Sequence, residues 1–432
     1  MLIKEAALNA SKYSSIAVIG GGIGGLSVAN ALLHRNNLAA RVSVYEQAKE
    51  FVPTAGAGFG FSPNGQICLS SIGINGYRKF CQPFDTLKRV TKDGTSVQQQ
   101  ASVFKQIRER HGFGIVGCLR ADLVDLLANK LNEYERGSLQ YSEKLIGITP
   151  RLDKVELKFD SGREDAVDLV IGADGIHSTV AKLLDIDDET PPIYSGANIF
   201  YGKIPQPTSI DYLRDHPIFD EGSVVNGSGT GEFTAFHVGA GEKKTFIWAT
   251  TYSSPNPPPK REEWNQGNLK ELEDILLNYP DSHPIRDFAR LTGKDDSLHF
   301  GLFYRHHRKT WSNDRVVLLG DSCHATLPYI GQGANQAIED AIYLADCLER
   351  HNTHTEAYQD YYDKRFPRTK RIVQMAGWMH KMYHSESWFM HKALDVLISS
   401  AMKGGLVLKQ FEREIIEECP VHPDNILSRT SK

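Results

Sequence analysis

Apolar residues in this chain gather in short runs that stop abruptly at a glycine or an acid. Ile16-Ala17-Val18-Ile19 stops at Gly20, Val42-Ser43-Val44-Tyr45 at Glu46, and Val316-Val317-Leu318-Leu319 at Gly320. Val167-Asp168-Leu169-Val170-Ile171 likewise runs into Gly172-Ala173-Asp174. Such runs read as strands, the first of them as a buried parallel one. After the first, Leu26, Ala29, Leu32 and Leu33 recur at helical spacing; after the last, Ala337, Ile338, Ala341, Leu344 and Ala345 do the same.

From about 191 to 252 the pattern changes to alternation. Phe246, Trp248 and Tyr252 share one face of a predicted strand, as do Phe233, Ala235 and His237 on its neighbour. Aromatics on a sheet most often form core, and this face is also a candidate lining for a site. Gly227-Ser228-Gly229-Thr230-Gly231-Glu232 lacks a following helix and reads as a hairpin turn. Ser253 to Pro259 is a stiff connection, and Trp264 to Leu277 follows as an amphipathic helix. Beyond Arg368 the tail is helical and bulky, with Trp378, Trp388, Phe389 and Met390. Packing over the first domain is its favoured use; subunit contact in a homodimer and covering a lipophilic substrate are the alternatives.

Chemistry enters at the first strand end. Gly20-Gly21-Gly22-Ile23-Gly24-Gly25 separates strand from helix. In this setting Gly20 permits a tight turn, Gly22 lets backbone approach a pyrophosphate, and Gly25 lets the helix pack on the strand. The second strand delivers Glu46 about 20 residues beyond the last glycine, where an acid binds the ribose of an adenine dinucleotide. Near the other end, Gly320-Asp321 puts a carboxylate at a strand terminus, suited to a sugar or ribityl hydroxyl. Gly331-Gln332-Gly333 then opens a helix whose first N–H groups can hold an electron-rich ligand edge.

With the glycine loop, Asp174-Gly175 and Gly320-Asp321 in this order, the chain resembles the class A flavoprotein monooxygenases, the family of p-hydroxybenzoate and salicylate hydroxylases. The resemblance runs from Ile16 to about Arg368. It implies an α/β fold: a Rossmann-like FAD-binding domain (15–190 and 300–365), an inserted β-sheet substrate domain (191–299) and a C-terminal helical region (366–432). It further implies that Glu46 binds the adenosine ribose of FAD and Asp321 the ribityl chain. Asp174 and Gly175 would sit near the pyrophosphate and serve a visiting NAD(P)H. Arg120 would begin a helix beside the flavin, with a solvated helix-terminal charge as its alternative. Gly331, Gly333, Ala334 and Asn335 would offer backbone donors to the flavin pyrimidine edge, and Pro328 would line the site where flavin and substrate meet. The implied activity is NAD(P)H-consuming insertion of one oxygen atom from O₂ into a small organic molecule, as hydroxylation of a phenolic or other activated aromatic ring through a flavin C4a-hydroperoxide. Epoxidation of an alkene or terpenoid, and a non-catalytic FAD-binding protein, are the alternatives.

One departure bears on the substrate. Where the family often carries Trp-Arg, this chain has Phe200-Tyr201. The missing arginine weakens the case for a carboxylated or urate-like substrate bound in that way. Tyr201 becomes a candidate to hydrogen-bond a phenol or carbonyl, with simple packing as the alternative.

Composition narrows the rest. A net charge of −4 without a long basic run argues against nucleic acid. No stretch is apolar enough to cross a membrane, and no secretory signal is seen, so a cytoplasmic location is expected. Six cysteines without CxxC spacing suit free thiols rather than disulfides or zinc. His380 and His384 have i,i+4 spacing, but Lys381 stands where a zinc protease needs Glu, so no metal is expected. His324 is expected to be structural, and His306-His307 to lie in a loop near the cleft.

Overall fold

The structure is a computed structural model that describes residues 11–421, apart from 53–55, 92–93, 185–190, 206–221, 229–230, 258–268, 278, 294–295 and 404. Its first layer is a six-stranded sheet in the order Ser312–Asn313, Val316–Leu318, Leu169–Gly172, Ile16–Ile19, Val42–Tyr45, Gly137–Gln140. All neighbours are parallel except the first pair. The strands Ile16–Ile19 and Val42–Tyr45 are buried at every position, which explains why their sequences are apolar runs rather than alternations. The helices Ile23–His34 and Gly333–Arg350 belong to the same hydrophobic core as this sheet.

A second sheet has seven strands: Ser297–Tyr304, Ile193–Pro205, Thr245–Ser253, Glu232–Val238, Ser223–Ser228, Thr86–Val90, Val97–Ala101. Two of them, Thr86–Val90 and Val97–Ala101, come from the stretch 15–190, far upstream of the expected insert. Ser297–Tyr304 spans the expected 299/300 boundary, and the helix His354–Tyr383 runs straight through 365/366 with Pro367 inside it. Ser223–Ser228 and Glu232–Val238 pair as a hairpin, as expected; residues 229 and 230 of its turn lie outside the described residues. The helix expected over 264–277 is described as Leu269–Leu276, its earlier part lying outside the described residues.

The aromatic face of the second sheet is core. Phe200, Phe233, Phe246 and Trp248 pack with Leu272, Ile275, Ile285 and Phe288 of the two helices Leu269–Leu276 and Ile285–Leu291. The favoured reading of this face as core holds, and its alternative as a site lining does not, because helices cover it. The opposite face carries Ile199, Tyr201, Ile247 and Ala249 and meets Ala57 and Leu119 of the first domain. The bulky tail forms the helix Trp388–Met402, packed beside His354–Tyr383, and the helix Leu406–Glu412, packed on Trp388–Met402. Trp378, Trp388 and Phe389 nonetheless remain exposed.

Candidate functional site

Two adjoining cavities make one trench along the carboxyl ends of the parallel strands. The first, about 500 Å³, is lined by Gly20, Gly21, Gly22, Glu46, Arg120 and Tyr141 among others. The second, about 600 Å³, is lined by Gly24, Gly58, Leu298, Phe300, Asp321 and Gly333 among others. Gly22, Arg120, Ala173 and Gly175 line both, so the two run into each other past the Arg120 side chain.

The glycine loop is shaped by backbone crowding. Gly20 has φ 109°, and a Cβ there would stand 2.8 Å from the carbonyl carbon of Ala173. At Gly25 a Cβ would run into the carbonyl oxygen of Gly20, which lets the helix Ile23–His34 sit against the strand before it. Gly24 faces Leu319 and Ala337, so the two glycine-containing motifs are in direct contact. Gly22 differs: a Cβ there would meet nothing nearer than Arg120 Nη2 at 3.8 Å. Glu46 stands at the end of its strand and accepts from the Gly21 N–H at 2.7 Å and the Ala48 N–H at 2.8 Å.

At the other end, Gly320 (φ 64°) turns the chain into the short helix Asp321–His324. Asp321 is open to solvent in the trench although protein crowds it. That crowding pushes its carboxyl above the ordinary range, against the opposing pull of His324 and Arg120. Gly331 is left-handed at φ 62°, after the turn Pro328–Ile330, and Gly333 begins the next helix. Gly333 and Ala334 line the second cavity. Asn335 is buried and works as a clamp: its Nδ2 donates to Gly331 O at 2.8 Å and Gly60 O at 3.1 Å, and its Oδ1 accepts from Ser62 N at 3.0 Å.

Of the other expected site residues, Asp174 and Gly175 line the first cavity, and several side-chain atoms of the set are already engaged within the fold. The Asp174 carboxylate is turned to its own chain, accepting from Ser178 Oγ at 2.6 Å, Thr179 N at 2.6 Å and Val180 N at 3.0 Å. It caps the helix Thr179–Leu183, while the backbone of Gly175 faces the trench. Burial pushes the Asp174 carboxyl upward in spite of these bonds. Tyr201 is buried, and its hydroxyl accepts from the Gly58 N–H, so Gly58 lines the trench with Tyr201 behind it. Pro328 is exposed at the start of its 3₁₀ turn.

Sequence reading missed the support beneath Asp321. Asp340 is fully buried; its Oδ2 accepts from Gly320 N at 3.0 Å and lies 2.6 Å from His324 Nε2. Its Oδ1 accepts from Arg365 Nε at 2.6 Å. Burial raises this carboxyl, but His324 and Arg365 outweigh it and hold the group at about 2. Glu339 beside it binds Arg365, Arg368 and, at 2.6 Å, Asn64. The available signal was a pair of acids set between the buried Ile338 and Ala341, with two arginines at i,i+3 downstream. Cys323, His324 and Asp340 lie close enough together to hold a metal ion, but Arg365, His324 and Gly320 N already engage the Asp340 oxygens. His380 and His384 both bond the Tyr329 hydroxyl, at 3.1 and 2.7 Å. His307 packs among Trp311, His324 and Phe366, away from the trench lining.

The trench fits a flavin adenine dinucleotide. An acid stands at its ribose end, open backbone at Gly22 and a cation at its middle, and a carboxylate with a helix start at its far end. Comparison with known proteins agrees. The family model described as "FAD binding domain" matches residues 115–376. A 3-amino-4-hydroxybenzoate 2-monooxygenase of Streptomyces platensis is 32% identical over 362 residues, covering 83% of this chain and 85% of the relative. A 6-methylsalicylate 1-monooxygenase of Aspergillus terreus is 29% identical over 84% of this chain and 81% of its own. Among solved structures, Klebsiella pneumoniae HpxO complexed with FAD and uric acid superposes with a TM-score of 0.76 at 23% identity, covering 96% of this chain and 97% of that one.

Proposed function

This chain belongs to the class A FAD-dependent aromatic monooxygenases, and from that membership we propose that it hydroxylates a small aromatic molecule at the expense of NAD(P)H. The balance is one aromatic C–H, O₂, NAD(P)H and a proton going to one aromatic C–OH, NAD(P)⁺ and water. Bound FAD supplies the hydride acceptance and the activation of O₂. The observation that carries the reading is the continuous trench, which leads from Glu46 past Gly22 and Arg120 to Asp321 and Gly333 and ends under the apolar Leu298 and Phe300.

In this reading Glu46 exchanges its bond to the Gly21 N–H for a ribose hydroxyl. Arg120 offsets the charge of the pyrophosphate, with Gly22 and Gly175 giving it backbone room. Asp321 accepts from a ribityl hydroxyl, and Asp340 holds it in place through Gly320 N and His324. The first turn of the helix from Gly333 would offer its N–H groups to the flavin pyrimidine edge and so favour the negative charge of reduced flavin. Leu298 and Phe300 keep water from the reacting ring. Tyr201 serves as a positioning residue, fixing the strand Gly58–Phe61 through the Gly58 N–H.

The purified protein should be yellow and release FAD on denaturation. NAD(P)H consumption under O₂ should rise when small phenols or indoles are added. An FAD-loaded protein that consumes no NAD(P)H with any of a broad set of aromatics would overturn the reading.

A further inference from the structure

The part of the second sheet that lines the cavity is apolar, Leu298 and Phe300; the charged residues on the same face, Lys203, Arg89 and Glu232, lie outside that lining, and Arg89 is paired with Asp395. Ile199, Tyr201 and Lys203 alternate toward the first domain, and beside them stand Ile247, Ala249 and Leu298. The Tyr201 hydroxyl is tied to the Gly58 N–H. Lys203 is buried and its ammonium lies 3.7 Å from the Asp296 carboxylate. Among the described residues lining the cavity that holds Leu298 and Phe300, the single cation is Arg120, and the single acid is Asp321. Arg120 lies at the junction with the first cavity, its stem against Gly56 and its guanidinium toward Gly22.

These charges decide what the cleft accepts. A bound FAD brings a doubly charged pyrophosphate to the Arg120 junction, so the loaded cleft carries more negative than positive charge. A carboxylate set against Leu298 and Phe300 would then lose water without gaining a counter-ion among the described lining residues, and would feel repulsion besides. A neutral ring loses nothing and buries apolar surface. The two named relatives act on hydroxybenzoate and salicylate derivatives, which are carboxylates. We propose that this chain differs from them in substrate class: it takes a neutral aromatic molecule that bears no carboxylate. This inference rests on the hydroxylase reading above and narrows it.

The test titrates the FAD-loaded protein, without NAD(P)H, with matched probes: 4-hydroxybenzoate against its methyl ester, and salicylate against salicylamide. Binding is read from the shift in the flavin absorption spectrum, and O₂-dependent NAD(P)H consumption is measured in parallel. The neutral member of each pair should bind at least tenfold more tightly. Leu298→Arg should narrow or reverse that preference. Carboxylates that bind as tightly as their neutral partners would overturn the proposal, and so would failure of every probe to perturb the flavin at millimolar concentration. The two readings fail separately. Neutral probes that bind without stimulating NAD(P)H consumption count against the hydroxylase and leave the neutral cleft standing; carboxylates that bind and turn over do the reverse.

Discussion

Two glycines three residues apart should respond in opposite ways to the same added methyl group. Gly22 has φ −77° and ψ −177°, which alanine adopts without strain, and its Cβ would clear every protein atom by at least 3.8 Å. Gly22→Ala should therefore fold normally and gain about 0.4–1 kcal/mol of stability through a less free unfolded chain. The methyl would occupy trench space, however. A phosphate oxygen needs to come within about 2.9 Å of a backbone nitrogen to bond it. A methyl carbon holds neighbours at about 3.5–4.0 Å. Losing one hydrogen bond to a charged group costs roughly 1.5–3 kcal/mol, about ten- to a hundred-fold in FAD affinity.

At Gly25 the same methyl would stand under 3.0 Å from the Gly20 carbonyl oxygen and 3.3 Å from Val18 Cγ1. The oxygen is backbone, in a loop whose Gly20 N–H is already held by Tyr45 O at 2.8 Å, so it cannot swing aside. Overpacking costs about 1–3 kcal/mol or more, against a gain of up to ~1 kcal/mol for replacing a helical glycine. Gly25→Ala should lower stability with or without cofactor. The assay is an FAD titration of each apoprotein by fluorescence quenching, paired with a denaturant melt. A Gly22→Ala protein that binds FAD like the wild type, or a Gly25→Ala protein that melts like it, would refute the reasoning.

Asp321→Ala should weaken FAD binding about ten- to a hundred-fold while the apoprotein melts near the wild type; a drop in the melt with unchanged affinity would make Asp321 a turn residue. Tyr201→Phe should leave the Gly58 N–H without its acceptor and cost about 1–3 kcal/mol, with FAD content unchanged; coupling of product to NAD(P)H consumed should fall, and unchanged coupling would remove Tyr201 from the positioning role. Asp340→Asn should cost about 3–5 kcal/mol at neutral pH, because Arg365 and His324 lose their shared charge partner. Since the folded carboxyl is held down at about 2, its contribution is complete above pH ~4 and is lost as pH falls toward 2. The stability curves of mutant and wild type should therefore converge over that acid window, and parallel curves would contradict the assigned role.

Much of the first domain was legible in the sequence because its signals are local. A strand buried on both faces must be apolar throughout, and a phosphate turn needs glycine where backbone crowds backbone. Ile16–Ile19, Gly20, Gly25 and Val42–Tyr45 therefore declared themselves, and so did the helix from Gly333. The alternation of Phe246, Trp248 and Tyr252 likewise predicted a shared sheet face correctly.

Which way that face points was a different matter. Period-two alternation says that two faces differ, and both faces here are largely apolar, so only the docking of Leu269–Leu276 and Ile285–Leu291 on one of them decided that Tyr201, Leu298 and Phe300 look toward the trench. The recruitment of Thr86–Val90 and Val97–Ala101 into the second sheet was equally hidden, since strand pairing across more than a hundred residues leaves no local trace. The partners of Tyr201 and Asp340 were decided the same way. A carboxylate or hydroxyl can serve a ligand or its own fold with identical local sequence. Only the tertiary placement of Gly58 and Arg365 within hydrogen-bond reach settled which groups are spent on holding the chain together.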